Sequence, residues 1–525
     1  MAGNFSILDW LIVSGYLLLL FGIGWAFTFL KAQTTRDYFL GANKMPAWLV
    51  AISVIATTQS AATFLGGPDQ GYRNDYSYLA VNISAIIASL FIAKVLMPKF
   101  YAMKATTVYE LLALRFDETA MKAAGAMYLV GRLFASGARL YLAAIAVSMI
   151  LFSNIEAGNI ISASALLIVV GFSITFLNGI RSVIWSDLIQ FCAYSFAAIA
   201  VLYFLLNHIP LTLPQIVSEL KQTPEGLNKL RIFNTGINFT DPYSLLSILT
   251  GMTLLYIASF GLDQDIAQRL LTCEKGRDGA NAIILSAFIG IPLIWMFISI
   301  GELLYLYYDR PDIMATSADF TPSQEFQGEN ITIFMHYILN ELPSGLKGMV
   351  TVGVIAAAVS TINSGLNSMS SVIIQDFYRP WILNKQHKPE HHFVRAGQLC
   401  MGLVGAALFF MSILCFYWQQ YSGLPLLDFA LSLMVFAYSG LLGVYFTVIY
   451  TNRGSTKSVI FALIIGFVVT LIQQRYIVDL LKLPEGLGNI AFSWQLCIGT
   501  IVAFIVCQIG NSKNEDIQND KPFKL

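Results

Sequence analysis

The fold is decided by one stretch of the chain, Val54-Ile55-Ala56-Thr57-Thr58-Gln59-Ser60-Ala61-Ala62-Thr63-Phe64, which Gly66-Gly67-Pro68 follows. It places five polar side chains inside a segment that is otherwise apolar and long enough to cross a bilayer. Backbone polar groups without partners are not tolerated against lipid, so a break at this depth must lie against protein or a wet cavity. The stretch therefore predicts an interrupted transmembrane helix, although single serine and threonine side chains also bond their own helix or mediate helix packing.

The composition of the whole chain is that of a membrane protein. Of its 525 residues, 56% are hydrophobic and only 12% are charged, which lies outside the usage of soluble proteins. Basic and acidic residues number 31 each, so the chain has no excess positive charge that would indicate a nucleic-acid partner. We predict an all-α integral membrane protein, in contact with the lipid bilayer, with about thirteen spans. They are expected near residues 8–30, 47–67, 75–98, 121–153, 158–177, 182–207, 243–270, 279–308, 345–377, 393–418, 426–450, 456–475 and 489–509.

The distribution of positive charge predicts the orientation of the spans. Lysine and arginine are concentrated in alternate connections, among them the one with Arg269, Lys275 and Arg277, and such connections are typically cytoplasmic. We therefore expect a multi-pass protein of the plasma membrane, or of the inner membrane in a bacterium, with its N terminus outside and its C terminus inside. The first apolar run lacks a preceding basic region and a following small-residue cleavage site, so we expect an uncleaved span.

The count of spans predicts two five-helix units of opposite orientation. We expect an extra first span within residues 1–46, a first repeat over 47–207 and an extracellular loop over 208–242 with short surface helices. A second repeat over 243–450, two peripheral spans over 451–510 and a disordered cytoplasmic tail over 511–525 complete the chain. Inverted repeats place the binding site near the bilayer midplane, where the first helix of each unit is interrupted. The second break is expected at Ser259-Phe260-Gly261-Leu262-Asp263-Gln264-Asp265, with Gly261 allowing an unwound turn.

Polar residues in three further spans are candidates for the chemistry of the site. Span nine carries Ser360, Asn363, Ser364 and Asn367 at three- and four-residue steps, which indicates either an ion-facing helix face or a small-residue packing helix. Span six contains Asp187, and an acid inside a span is a functional candidate by default. Pairing of Asp187 with the nearby Arg181 is the structural alternative.

Two arginines lie inside span four, seven residues apart on nearly the same face of the helix. One of Arg132 and Arg139 could bind an anionic group of a solute, since guanidinium matches carboxylate geometry. The other could pair with an acid such as Asp263. The five histidines include none inside a span at metal or triad spacing, so an enzyme is not expected.

Several motifs in order resemble the sodium:solute symporter family, whose members carry sugars, sialic acid, proline or monocarboxylates. The resemblance covers about residues 8–450 and implies the inverted-repeat fold of the bacterial leucine transporter. It also implies sodium as the coupling ion, and around span two it is strongest to the sialic acid cotransporters. The motifs are Asp37-Tyr38-Phe39-Leu40-Gly41, residues 56–64, Trp185-Ser186-Asp187-Leu188-Ile189-Gln190, Asp263-Gln264 with Gln268-Arg269, and residues 357–376.

The same resemblance implies the residues of the binding sites. Thr361 stands where many members have serine, and Asn363 departs from the usual serine or threonine. The implied principal sodium site is Ala56, Gln59, Ala357, Ser360 and Thr361, and the implied second sodium site is Asp187, Ser360, Asn363 and Ser364. The expected solute site is Thr58, Gln59, Ser60, Thr63, Tyr78, Asn82, Arg132, Arg139, Ser259, Phe260, Asp263 and Gln264.

We therefore expect a sodium-coupled symporter that imports a small polar solute by alternating access. An acidic sugar such as sialic acid, or another carboxylate, is preferred as the solute because of the two arginines of span four. A sodium-independent facilitator or channel, and a cotransporter of neutral sugars or polyols, remain the alternatives.

Overall fold

A computed structural model describes residues 5–27, 32–152, 154–176, 179–314, 325–326, 329–330, 332–422 and 426–510. This part of the chain is helical apart from loops and one antiparallel pair of short strands, β1 (Glu325–Phe326) and β2 (Glu329–Asn330). The helices before the second break are α1 (Ile7–Phe27), α2 (Thr35–Leu40), α3 (Ala47–Thr58), α4 (Ala61–Arg73), α5 (Tyr76–Ala102), α6 (Glu110–Arg115), α7 (Glu118–Phe152), α8 (Ala157–Thr175), α9 (Ile180–His208), α10 (Leu213–Lys221) and α11 (Leu245–Leu262). Those after it are α12 (Gln264–Leu270), α13 (Gly276–Tyr308), α14 (Pro311–Met314), α15 (Ile333–Asn340), α16 (Leu346–Leu383), α17 (Glu390–Ser422), α18 (Leu426–Tyr450), α19 (Thr456–Ile472), α20 (Arg475–Leu481) and α21 (Phe492–Cys507).

The described residues contain ten helices that are long and apolar enough to cross a membrane, or up to 12 if two bent pairs each count as a span. The bent pairs are Thr35–Asn43 with Ala47–Thr58, and Thr456–Ile472 with Arg475–Leu481. Each predicted span coincides with helical structure, and α10 is a short helix of the kind expected in the 208–242 loop, while α14 and α15 lie in the connection after α13. The number of thirteen, the orientation of the termini and the domain boundaries stay predictions, and residues 511–525 lie outside the described part.

The first predicted break is confirmed. Helix α3 ends at Thr58, and both Gln59 and Ser60 have extended backbone before α4 begins at Ala61. Because the last carbonyl groups of a helix have no intrahelical donor, the break leaves α3 carbonyl oxygens available for a ligand. The polar run of this span therefore positions backbone acceptors in the interior of the protein.

The second break lies within the stretch predicted for it, at Asp263. Residues 258–262 form a π-helical turn that includes Gly261, and the extended residue is Asp263, whose carboxylate accepts the Asp265 N–H at 2.9 Å and so caps α12. The expectation of an unwound turn at Gly261 is wrong. A Cβ there would lie 2.6 Å from Leu96 and 2.9 Å from Ile92, so the glycine is required for close packing against α5.

Backbone contact and a buried lysine fix the second half of the broken span. A Cβ on Gly301 of α13 would lie 2.0 Å from the Pro68 carbonyl oxygen, so the close approach of α4 and α13 requires glycine at this position. The Lys229 ammonium donates to the Gly71, Tyr72 and Asn74 carbonyls at 2.7–3.0 Å. The loop after α10 thereby holds the C-terminal end of α4.

Candidate functional site

The first break and the helix ends on either side of the second break line a central cavity of about 80 Å³. Tyr256, Asp265 and Met434 also line this cavity, and they were not predicted from the sequence as part of the solute site. Tyr256 lies three residues before Ser259 on a helix, and that spacing was the available signal that they share a face. Ten residues of the expected solute site line the cavity: Thr58, Gln59, Ser60, Thr63, Tyr78, Asn82, Arg132, Arg139, Ser259 and Phe260.

The remaining two residues of the expected solute site have structural partners and do not line the cavity. The Gln264 amide oxygen accepts the Val108 N–H at 3.0 Å, and its nitrogen donates to the Thr106 carbonyl at 2.9 Å. Asp263 accepts hydrogen bonds from Arg132 at 3.1 Å and from the Tyr438 hydroxyl at 2.5 Å. Both residues hold α12 in place, and their contact with solute stays a prediction.

The two arginines of α7 have different environments. Arg132 is buried and forms ion pairs with Asp263 and Asp265, so it is the arginine that pairs with an acid. Arg139 lies seven residues further along α7, on nearly the same face of the helix, and its guanidinium donates to the Met434 sulfur at 3.3 Å. In the described part of the chain no carboxylate lies within ion-pair distance of Arg139, whose side chain faces the cavity and is only 9% exposed.

A second, very small cavity lies between the first break and α16. Its volume is about 10 Å³, roughly that of one water-sized sphere. Three residues of the implied principal sodium site, Ala56, Gln59 and Ala357, line it together with Gln190 and Tyr194. Backbone carbonyls at an unwound helix are typical ligands for sodium in inverted-repeat transporters.

The other two implied ligands of the principal site lie on the next turn of α16. The Thr361 hydroxyl donates to the Ala357 carbonyl at 3.1 Å, and the Ser360 hydroxyl donates to Asp187 at 2.7 Å. Each hydroxyl oxygen keeps lone pairs with which to coordinate a cation. The implied set therefore supplies oxygen atoms of the kind that coordinates an alkali ion.

The residues of the implied second sodium site surround an arginine. Asp187 accepts hydrogen bonds from Ser53 at 2.5 Å, from Ser360 at 2.7 Å and from Arg269 at 3.1 Å. The alternative that pairs Asp187 with Arg181 is wrong, because Asp187 meets Arg269 from α12. Arg269 is 1% exposed and lies in α12, so it is a buried ion-pair partner and not a solvated charge of the following loop.

Asn363 does not belong to that cluster. Its amide oxygen lies 2.9 Å from the position of a Cβ on Gly171, so the side chain faces α8, on a different side of α16 from Ser364. Neighbouring positions on a helix differ by about 100° in direction, because one turn holds about 3.6 residues. Asn363 and Ser364 therefore point in different directions in this structure, and the second sodium site stays a prediction.

Comparison with known proteins places this geometry in context. The model of the Sodium:solute symporter family matches residues 38–472. The sodium/sialic acid symporter SiaT of Proteus mirabilis is 24% identical, with 91% of each chain covered. The sodium/sialic acid symporter NanT of Aliivibrio fischeri is 25% identical over 96% of this chain and 93% of its own. Human sodium-coupled monocarboxylate transporter 1 is 25% identical over 77% of this chain and 65% of its own.

A solved structure has the same fold. The substrate-bound outward-open state of a Na⁺-coupled sialic acid symporter matches with a TM-score of 0.79 and 23% identity, covering 96% of this chain and 98% of that chain. The predicted fold, that of the inverted-repeat transporters, is confirmed.

The different environments of the two arginines predict different effects on stability. Arg132→Ala leaves Asp263 and Asp265 short of positive charge, and breaking a buried ion pair costs about 3–5 kcal/mol. Arg139→Ala removes no ion pair and is expected to have a much smaller effect. Thermal unfolding of the purified variants in one detergent checks this, and equal unfolding temperatures for the two variants would contradict the assignment.

Proposed function

The chain belongs to the sodium:solute symporter family, a family of transporters and not of enzymes, and from that premise we propose that it imports a small organic carboxylate together with sodium. One observation carries the choice of solute class. Arg139 faces the central cavity, and among the described residues it has no acid partner. A carboxylate on the solute supplies the missing partner.

The chemistry of the arginine supports this choice. A guanidinium in a membrane interior is costly unless it is paired, because the low-polarity surroundings do not stabilise an isolated charge. Guanidinium also matches a carboxylate with two parallel hydrogen bonds, which fixes the orientation of the ligand. A neutral sugar or polyol offers no such counter-charge and is the weaker candidate.

The size of the cavity favours a short carboxylate. On the measure used for protein cavities one water occupies roughly 10–15 Å³, so about 80 Å³ holds about six water-sized groups. A small monocarboxylate such as pyruvate fits this space as it stands, and the monocarboxylate transporters among the relatives agree with it.

An acidic sugar such as sialic acid is the second candidate. It is supported by the sialic acid symporters, which this chain matches over more than nine tenths of its length. A larger solute needs more room, and Tyr78 separates the central cavity from a further cavity of about 640 Å³. The Tyr78 ring packs edge-on against Tyr243, whose hydroxyl donates to Asp428 at 2.6 Å. Binding of the larger solute therefore requires Tyr78 to move.

We assign the coupling ion to the 10 Å³ cavity, with Gln190 as an additional ligand. The Gln190 side chain is 1% exposed and lines this cavity, and neither of its amide atoms has a hydrogen-bond partner within the described residues. A buried amide without partners is costly. Coordination of sodium by the amide oxygen satisfies it.

Coupling between ion and solute follows from a residue that both sites share. Gln59, in the extended break, lines both the sodium cavity and the central cavity. Sodium bound to the carbonyl oxygens of the break orders the segment that also faces the solute. Each ligand thus favours binding of the other, and this coupling free energy is reciprocal.

The contacts near α2 indicate which side of the protein is closed. Gln268 donates to the Phe39 carbonyl at 2.6 Å, Asn43 donates to the Leu271 carbonyl at 2.5 Å, and the Met45 N–H donates to the Thr272 carbonyl at 3.1 Å. These bonds join the segment before α3 to the end of α12. With the 640 Å³ cavity at the opposite end, we assign the structure to an outward-facing state.

Uptake into proteoliposomes tests the proposed function. Labelled pyruvate, N-acetylneuraminate and galactose are supplied with and without an inward sodium gradient. We expect accumulation of a carboxylate above equilibrium with the gradient only, and faster uptake of pyruvate than of N-acetylneuraminate. Equilibration without accumulation and without a sodium requirement would instead support a passive facilitator.

Arg139 is predicted to determine affinity for the carboxylate. Arg139→Ala should raise the KM for the transported carboxylate by at least tenfold, since loss of a charge-assisted hydrogen bond costs about 1.5–3 kcal/mol. Arg139→Lys keeps the charge and should recover part of the affinity. Arg277→Ala, at an exposed arginine, is the matched control, and an unchanged KM in Arg139→Ala would remove the basis for the solute class.

Gln190 is predicted to act on sodium and not on the solute. Gln190→Leu should raise the sodium concentration for half-maximal uptake several-fold, while KM for the solute at saturating sodium stays near wild type. Gln190→Glu keeps an oxygen at the same place and should retain sodium affinity. An equal loss of sodium affinity in both variants would show that Gln190 serves packing only.

A further inference from the structure

Tyr78 stands between two cavities of very different size. Its side chain, near the start of α5, lines both the central cavity of about 80 Å³ and the cavity of about 640 Å³. The side chain is buried, and its hydroxyl donates to no other described residue, so the position of the ring depends on the groups packed around it. Displacement of this ring joins the two cavities.

Tyr243 is the neighbour that fixes the Tyr78 ring. The two rings meet edge-on, with centroids 5.2 Å apart and planes at 89°, which is a preferred arrangement of aromatic pairs. Tyr243 is itself held at both ends. Its backbone N–H donates to Asp241 at 2.8 Å, and its hydroxyl donates to the Asp428 carboxylate at 2.6 Å. The Tyr243 ring therefore has one defined position against Tyr78.

Asp428 depends on Tyr243 in return. It lies in the first turn of α18, half-buried, and among the described residues no lysine or arginine is within ion-pair distance of it. Hydrogen bonds to a charged acceptor are roughly twice as strong as those between neutral groups. The bond joins α18 to the segment before α11, and the ring contact extends this connection to α5. We call Tyr78, Tyr243 and Asp428 the latch.

The latch separates solutes by size. While it is closed, the central cavity holds about six water-sized groups, which matches the about six non-hydrogen atoms of pyruvate. N-acetylneuraminate has roughly three times as many such atoms and fits only if Tyr78 is displaced. Displacing Tyr78 breaks its contact with Tyr243 and disturbs the bond to Asp428. The free energy of closing the latch therefore counts against the larger solute and not against the smaller one.

We propose that the hydrogen bond between Tyr243 and Asp428 holds Tyr78 across the central cavity and thereby sets the largest carboxylate that the protein transports. Tyr243 and Asp428 are positioning residues, because they line the 640 Å³ cavity and act on the solute through Tyr78. The inference rests on the proposed function for the class of solute. Its own content is the size limit and the bond that determines it.

Sodium-driven uptake of carboxylates of increasing size tests the size limit. We measure kcat/KM for pyruvate, gluconate and N-acetylneuraminate in proteoliposomes. Tyr243→Phe keeps the ring and removes the hydroxyl, so it should raise the ratio of kcat/KM for N-acetylneuraminate to that for pyruvate by about fivefold or more, with gluconate in between. Asp428→Asn keeps the shape of the side chain and weakens the bond, so it should shift the ratio less and in the same direction.

Tyr72→Phe is the matched control. The Tyr72 hydroxyl also donates to an aspartate, Asp309, at 2.7 Å, but neither residue lines the central cavity or the 640 Å³ cavity. This variant should keep the wild-type ratio. A purely structural role of the Tyr243 hydroxyl lowers kcat/KM for all solutes alike, so an unchanged ratio in Tyr243→Phe, or the same change in Tyr72→Phe, would overturn the proposal.

Chemical labelling tests the latch without transport. Ser259→Cys places a thiol at the central cavity, and a water-soluble methanethiosulfonate reaches it from the 640 Å³ cavity only past Tyr78. After subtraction of the rate for protein that retains Ser259, labelling should be several-fold faster when Tyr243→Phe is added, and not when Tyr72→Phe is added. Equal rates would overturn the latch.

The two readouts separate this inference from the proposed function. Unchanged labelling beside intact sodium-driven uptake of pyruvate would reject the latch alone. Absence of sodium-driven uptake for every carboxylate would reject the proposed function, and the size limit with it.

Discussion

Asp265 lies between two arginines, and the arrangement of the broken helices depends on this contact. One of its carboxylate oxygens pairs with Arg132 of α7, and the other accepts from Arg269 of α12 at 2.9 Å. Arg269 extends the network to Ser53 of α3 and to Asp187 of α9. Since the membrane interior does not stabilise an unpaired charge, every one of these groups has to be positioned for the others to be buried. Four helices are thereby held around a segment that lacks continuous helical hydrogen bonding.

The local breaks in the helices were predictable because their cause is local. A run of hydroxyl and amide groups in an apolar span marks the first break, and the extended backbone is found at Gln59 and Ser60. The second break was predicted from the same kind of signal, but it lies at Asp263 and not at Gly261. Glycine at a predicted break has two explanations, freedom of the backbone and lack of a side chain, and the sequence does not distinguish them. At Gly261 the close packing against α5 shows that the lack of a side chain is the reason for glycine.

The partners of the charged side chains were less predictable, because they depend on how distant helices pack. Asp187 has Arg181 six residues before it in sequence, yet its partner is Arg269, 82 residues away. Sequence spacing indicates which side chains share a helix face but not which other helix that face meets. Gln190 illustrates the same limit. It stood in a motif without an assigned role, and only the structure shows its unpaired amide at the small cavity beside the first break.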